Sequence, residues 1–363
     1  MNRNYNRREF LRKGAGVAVT LAGGTRLLKA CNLPPVTERP VVSIVKISQD
    51  RIGYAVEKAI DLLGGLETIA ANRERIMLKP NLVAENPAFT TKPEVIRALV
   101  RLMKRYGKDV RIGEGSTAAA GFNVLNDQIY RTKNKEILDK MQQYVFSQLG
   151  YEELASSEKI PLVNLHSGEM AEVSVPDGLL FDKITIHRSI QETDLLCSVP
   201  MMKTHVLATV TLGMKNLIGL YPGTVYYAAR SWLHDHAAQH SSPGVAFEII
   251  DMVKAARPGL TVIDGSMAME GDGPTGGNLL KMDIIIAGTN LLATDMVAAR
   301  IMGFEISDVP HLVLAARAGM TPSDPGQIEI RGELAESVAH KFAKPNVVAW
   351  NSISDFWAKE EIL

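Results

Sequence analysis

The sequence predicts an α/β protein with a largely parallel central sheet, helices on both faces, and a small β-rich insertion near residues 160–190. Two observations predict it. Short apolar, β-branched runs alternate with longer segments whose apolar residues recur at helical spacing, an order that gives parallel strands covered by helices. No fixed-period repeat and no linker interrupts the chain after residue 40, so one elaborated domain is expected over residues 41–335.

The elements follow in order. Val41 to Ile47 reads as a first strand. Val56, Ala59, Ile60 and Leu63 mark a helix closed by Gly64-Gly65, and Arg75 to Lys79 is the second strand. Pro93 opens a helix with Val95, Leu99, Leu102 and Met103 on its apolar face, ended by Gly107; Val110 to Gly113 is the third strand. Asn134 to Leu149 is helical. Pro161 to Ile186 carries short strand-like runs with turns at His166-Ser167-Gly168 and Pro176-Asp177-Gly178. Strands are expected at Leu195–Val199, Leu260–Ile263 and Ile284–Ala287, and helices at Gly244–Ala256 and Leu291–Met302. Residues 336–363 form a C-terminal extension.

The first forty residues read as an address. Arg7-Arg8-Glu9-Phe10-Leu11 precedes a small, mildly apolar stretch from Gly14 to Gly24, the pattern of a twin-arginine export signal over residues 1–31. Leu28-Lys29-Ala30-Cys31 is similar to a lipoprotein cleavage box, in which Cys31 would carry lipid; Lys29 fits that box poorly. Residues 32–40 are a Pro-rich linker. The expected location is the periplasm or cell envelope, with the twin-arginine translocase as export partner. Membrane contact is expected only through the signal or a lipid anchor, because no apolar run reaches the length that spans a bilayer.

Composition excludes several classes. Lys plus Arg equals Asp plus Glu, 40 against 40, which argues against a nucleic-acid partner. Two cysteines, Cys31 and Cys197, cannot build a four-cysteine iron–sulfur site, so no such cluster is expected. Cys197, within an apolar strand, reads as a small buried hydrophobe.

Polar residues gather where the strands end, the place where parallel sheets bind ligands. Lys79-Pro80-Asn81 follows the second strand and Glu114-Gly115 the third. The Leu195 strand runs into Lys203-Thr204-His205, and the Leu260 strand into Asp264-Gly265 and Glu270-Gly271-Asp272. Lys215-Asn216 lies in a glycine-containing stretch. Lysines and amides so placed suit a small carboxylate or phosphate, with Lys79, Asn81, Glu114, Lys215 and Asn216 binding it. His205, Lys203 and Asp264 would carry proton transfer. His234 and His236 with Glu270 could hold a divalent metal; the competing reading is ordinary surface histidines.

Lys79-Pro80-Asn81-Leu82, Pro200 to His205, Thr211 to Gly219, Asp264-Gly265 and Gly303 after Asp295 together resemble the family called domain of unknown function 362, over residues 41–335. Some members of that family carry ferredoxin-type cysteine clusters, which this sequence lacks. The lysine-glycine-proline stretch is also faintly similar to the active region of nickel-dependent lactate racemases. Two functions compete: an enzyme acting on a small anion, with or without a metal or cofactor, and a non-catalytic, lipid-anchored binding protein of the envelope.

Overall fold

The structure is a computed structural model that describes residues 39–125, 128–129, 131–228 and 245–346. The strands on which the sheet and the site depend are β1 (Val41–Lys46), β2 (Arg75–Pro80) and β3 (Asp109–Glu114), followed by two short ones, β4 (Val124–Leu125) and β5 (Gln128–Ile129). Next come β6 (Leu162–Asn164), β7 (Met170–Ser174), β8 (Lys183–His187), β9 (Leu195–Val199), β10 (Met201–His205) and β11 (Thr209–Thr211). The last four are β12 (Leu260–Glu270), β13 (Asn278–Leu280), β14 (Ile284–Gly288) and β15 (Glu329–Gly332).

The main sheet runs β15-β1-β14-β12-β9-β2-β3-β6, with β10 and β13 paired to β12 and β11 paired to β10. Along that path only β1–β14 and β14–β12 are antiparallel; the other pairings are parallel. The α/β class and the mostly parallel sheet are as the sequence predicts.

Successive strand residues feed two separate cores, which is why the strands are apolar throughout. Met77, Leu196, Ile284 and Ile286 belong to one core. Their immediate neighbours Ile76, Leu78, Leu195, Cys197, Ile285 and Ala287 belong to the other. A strand presents alternate side chains to opposite faces, so a sheet covered on both sides needs both sets apolar. The helices Ile52–Leu62, Pro93–Arg105, Lys135–Gln148 and Tyr151–Glu158 bury their apolar residues in the second core. The helices Ala246–Ala256, Leu291–Ile301 and Pro310–Arg317 close the first. Local signals set their starts: Pro93 occupies the first turn, and Asn134 and Asn290 cap by accepting the amides of Ile137 and Ala293.

Three expectations change. Residues 201–205, expected only as the polar end of the Leu195 strand, form a strand of their own, buried and paired with β11 and β12. Strand β12 does not stop at Ile263 but continues to Glu270, so Asp264 lies in mid-strand. The 160–190 insertion divides: β6 joins the main sheet, while β7 and β8 form a separate hairpin. The proposed signal, Cys31, and nearly all of the linker lie outside the described residues. Among the described residues no helix is long and apolar enough to cross a membrane.

Candidate functional site

Parallel strands β2 and β3 end side by side; β3 ends in Glu114, and Lys79 is the last residue but one of β2. Lys79 Nζ donates to Glu114 Oε1 and Oε2 at 2.8 and 3.0 Å, to Asn216 Oδ1 at 3.1 Å and to the Pro80 carbonyl at 2.9 Å. Glu114 also accepts the amides of Leu82 and Gly115, at 2.9 and 2.8 Å. Both side chains are buried, so the ion pair survives only because donors and acceptors surround each partner. Asn216 ties this corner to the next strand: its Nδ2 donates to the Lys79 carbonyl and to Ser198 Oγ, each at 3.1 Å. Gly219 passes so close that a Cβ there would lie 2.6 Å from Glu114 Oε1 and from Lys79 Cε and Nζ. Only glycine allows that approach.

Strand β10 supplies further lining. Lys203 is wholly buried, and its Nζ donates to the Phe89 carbonyl at 2.5 Å and the Pro274 carbonyl at 3.4 Å. Burial, with Lys215 and Lys79 nearby, pushes its pKa well below the usual lysine value; Glu114 opposes this without reversing it. His205 Nδ1 accepts the Leu207 amide at 3.0 Å, which assigns the ring proton of the neutral form to Nε2. Held that way, the imidazole is a hydrogen-bond donor at Nε2, so it suits polarising a bound oxygen better than removing a proton. Lys215 and Asn216 lie on the short helix Gly213–Asn216, whose first amides, those of Gly213 and Met214, donate to the buried Asp295 carboxylate at 2.8 and 2.7 Å. His311, fully buried, is pushed down to about 3 by burial and by the Lys215 charge, so it stays neutral.

These elements enclose a cavity of about 200 Å³ whose lining includes Lys79, Asn81, Glu114, Lys203, His205, Lys215 and Asn216. Seven of the residues singled out in the sequence therefore meet at one hollow. Three lysines face one carboxylate, and Glu114 is already engaged, so the wall is net positive.

Asp264 does not line this cavity, and its expected place there is corrected. Because β12 runs on past it, its carboxylate accepts the Lys92 amide at 2.9 Å and the Ser266 amide and hydroxyl at 3.0 and 2.5 Å. It thereby steadies the start of the Pro93–Arg105 helix, with burial raising its pKa. Glu270 likewise accepts the Ala343 amide at 2.8 Å and holds the C-terminal segment. His234 and His236 lie outside the described residues, and among the described ones no group of three His, Cys, Asp or Glu could hold a metal ion. Cys197 is a free thiol buried in the second core, its pKa pushed up by burial.

Sequence reasoning passed over Thr211, Gly219 and Asp295 as site residues. Asp295 had a signal: it is an acid inside the otherwise apolar run Leu291-Leu292-Ala293-Thr294 and Met296-Val297. An acid there must find buried donors.

Fold and site together define an α/β protein with a lysine-walled cavity at its strand ends. The chain belongs to the family described as domain of unknown function (DUF362), whose match covers residues 76–300 and includes all seven cavity residues named above. It is similar to a thylakoid-associated protein of Synechocystis sp., 25% identical over 267 residues, which are 73% of this chain and 74% of that one. Among solved structures it is similar to the lactate racemase apoprotein from Thermoanaerobacterium thermosaccharolyticum, with TM-score 0.43 and 15% identity, over 77% of this chain. The chain spans 59% of that protein's length.

Proposed function

We propose that this protein is an enzyme acting on a small anionic substrate, a carboxylate or phosphate, held between Lys203 and Lys215. One observation carries the reading: Lys203 is fully buried at the cavity wall with two main-chain carbonyls, and no carboxylate among the described residues, as its hydrogen-bond partners. A cation kept out of water without a counter-charge is costly, and an anionic ligand supplies the missing charge. The lowered pKa favours an enzyme over a passive binder, because a buried amine that gives up its proton more readily than an ordinary lysine can exchange one with a bound substrate. His205 Nε2–H would then stabilise the oxygen on which charge develops.

The test is a thermal-shift and calorimetric screen of the full chain against inorganic phosphate and small carboxylates. Binding is expected for the parent protein and is lost in Lys203→Met, which should remain folded. Unchanged affinity in that variant would remove Lys203 from the site.

We also propose export by the twin-arginine route, on the strength of Arg7-Arg8-Glu9-Phe10-Leu11. Cell fractionation of an Arg7→Lys, Arg8→Lys variant should then find the chain retained in the cytoplasm; continued appearance in the periplasm would defeat this.

A further inference from the structure

The cavity holds polar atoms that an anion alone does not satisfy. Asn216 has a fixed orientation: its Oδ1 accepts from Lys79, and its Nδ2 donates to the Lys79 carbonyl and to Ser198 Oγ. Asn81 approaches Asn216 Oδ1 at 3.3 Å and must present Nδ2 to it, since the flipped amide would set two carbonyl oxygens together. Asn81 Oδ1 is thereby turned away, buried, and without a hydrogen-bond partner among the described residues. A second such atom lies on β11. Thr211 pairs directly with Lys203 across β10 and β11, so the two side chains share a face. Thr211 is 2% exposed, and its Oγ1 also has no partner among the described residues.

Buried polar atoms left unpaired are uncommon, and both of these belong to residues that line the cavity. Their polarity is informative. Lys203, Lys215 and His205 Nε2–H can only donate, and so suit an anion. Asn81 Oδ1 can only accept, and a carboxylate or fully ionised phosphate offers it nothing. The ligand must bring an X–H group of its own. An ammonium would be repelled by the net positive wall, and of the neutral donors a hydroxyl can both donate to Asn81 Oδ1 and accept from Thr211 Oγ1.

We propose that the ligand is a small hydroxylated anion whose hydroxyl donates to Asn81 Oδ1 and accepts from Thr211 Oγ1 while its charged group meets Lys203 and Lys215. This rests on the anion reading above and narrows it. A hollow of about 200 Å³ is smaller than the roughly 300–1,000 Å³ of sites for drug-sized ligands, so the part of the molecule it holds has only a few carbons.

The test is calorimetric titration of the full chain with two matched pairs, glycerate against propionate and glycerol 1-phosphate against propyl phosphate. The better pair identifies the charged group. Within it the hydroxylated member is expected to bind at least about tenfold more tightly, because a site built around a hydroxyl penalises its absence. Asn81→Ala and the isosteric Thr211→Val should each shrink that ratio. Equal affinity within both pairs, with Lys203→Met still abolishing binding, overturns the hydroxyl and spares the anion. Absence of binding by all four compounds overturns both readings. A hydroxyl preference that survives both substitutions overturns the assignment to Asn81 and Thr211.

Discussion

Two lysines lining one cavity make opposite use of burial. Lys79 is 1% exposed and Lys203 is 0% exposed, and both sit near the ends of buried strands. Lys79 has a carboxylate, an amide oxygen and a carbonyl around it. Lys203 has two carbonyls, one of them at 3.4 Å. The first corner is complete within the protein and behaves as structure. The second is incomplete and is retained, we argue, for a molecule from outside. Burial alone therefore does not separate structural from functional charges; the number of internal partners does.

The comparison is broken most directly by removing each lysine in turn. Lys79→Met leaves Glu114 buried without its cation and should cost about 3–5 kcal/mol, the usual penalty for breaking a buried pair from one side. Lys203→Met loses two hydrogen bonds but also relieves a desolvated amine, so its cost should stay below about 1.5 kcal/mol. Urea unfolding of the two variants gives the answer. Equal losses would mean that Lys203, too, is part of the framework. Gly219→Ala probes the same corner more gently. Its new methyl meets the ion pair at 2.6 Å, and overpacking of this kind costs about 1–3 kcal/mol. A neutral result would show that the Lys79–Glu114 corner can yield.

A pH series sharpens the contrast. The pKa of Lys203 in the folded protein lies well below 10.5, its ordinary value. Between the two values the unfolded chain holds a proton that the folded chain lacks, so stability from this residue rises with pH through that window. Below the folded pKa the penalty is constant. Unfolding free energies of the parent, compared with Lys203→Met from neutral pH to about 10, should show the extra climb in the parent alone. Matching slopes would mean that Lys203 keeps its charge.

Much of this was legible beforehand, for identifiable reasons. Alternation of apolar runs and helical periods is a local property, so the strands around Ile76, Val110, Leu195 and Ile285 were all visible. Strand direction is not local, and the antiparallel pairing of β14 was not legible: with the preceding strand expected to end at Ile263, the stretch up to Ile284 leaves room for a crossover helix. Lys79, Lys203 and Lys215 were found because a lysine in apolar sequence is anomalous. Asp264 misled because its strand continues beyond the apolar run that marked it, which places the carboxylate in mid-strand. Thr211 gave no warning, since a threonine in a strand is ordinary; only its lack of a partner is unusual, and that is a property of the folded chain.

Asp295 provides the smallest effect and the finest test. Burial raises its pKa from 3.8 to about 7, and the two amide hydrogen bonds from Met214 and Gly213 only partly oppose this. Between those values the folded chain holds a proton that the unfolded chain has released. Its contribution to stability is therefore fullest below about 3.8 and is lost as pH rises through about 7. Asp295→Asn abolishes that slope, and the parent should lose stability relative to the variant from acid to pH 8. The same change matters for binding, because the ionised carboxylate accepts both amides while an Asn side chain accepts only one and turns its NH₂ toward the other. The short helix bearing Lys215 and Asn216 should then sit less firmly. Anion affinity at pH 8 is expected to fall about two- to fivefold, on the order of half to one kcal/mol, within the range of one lost hydrogen bond. At pH 5.5 the parent carboxyl is itself protonated, so the gap between the two proteins should close. A gap that persists unchanged at both pH values would show that Asp295 acts through packing, and that its charge has no part in aiming Lys215 at the cavity.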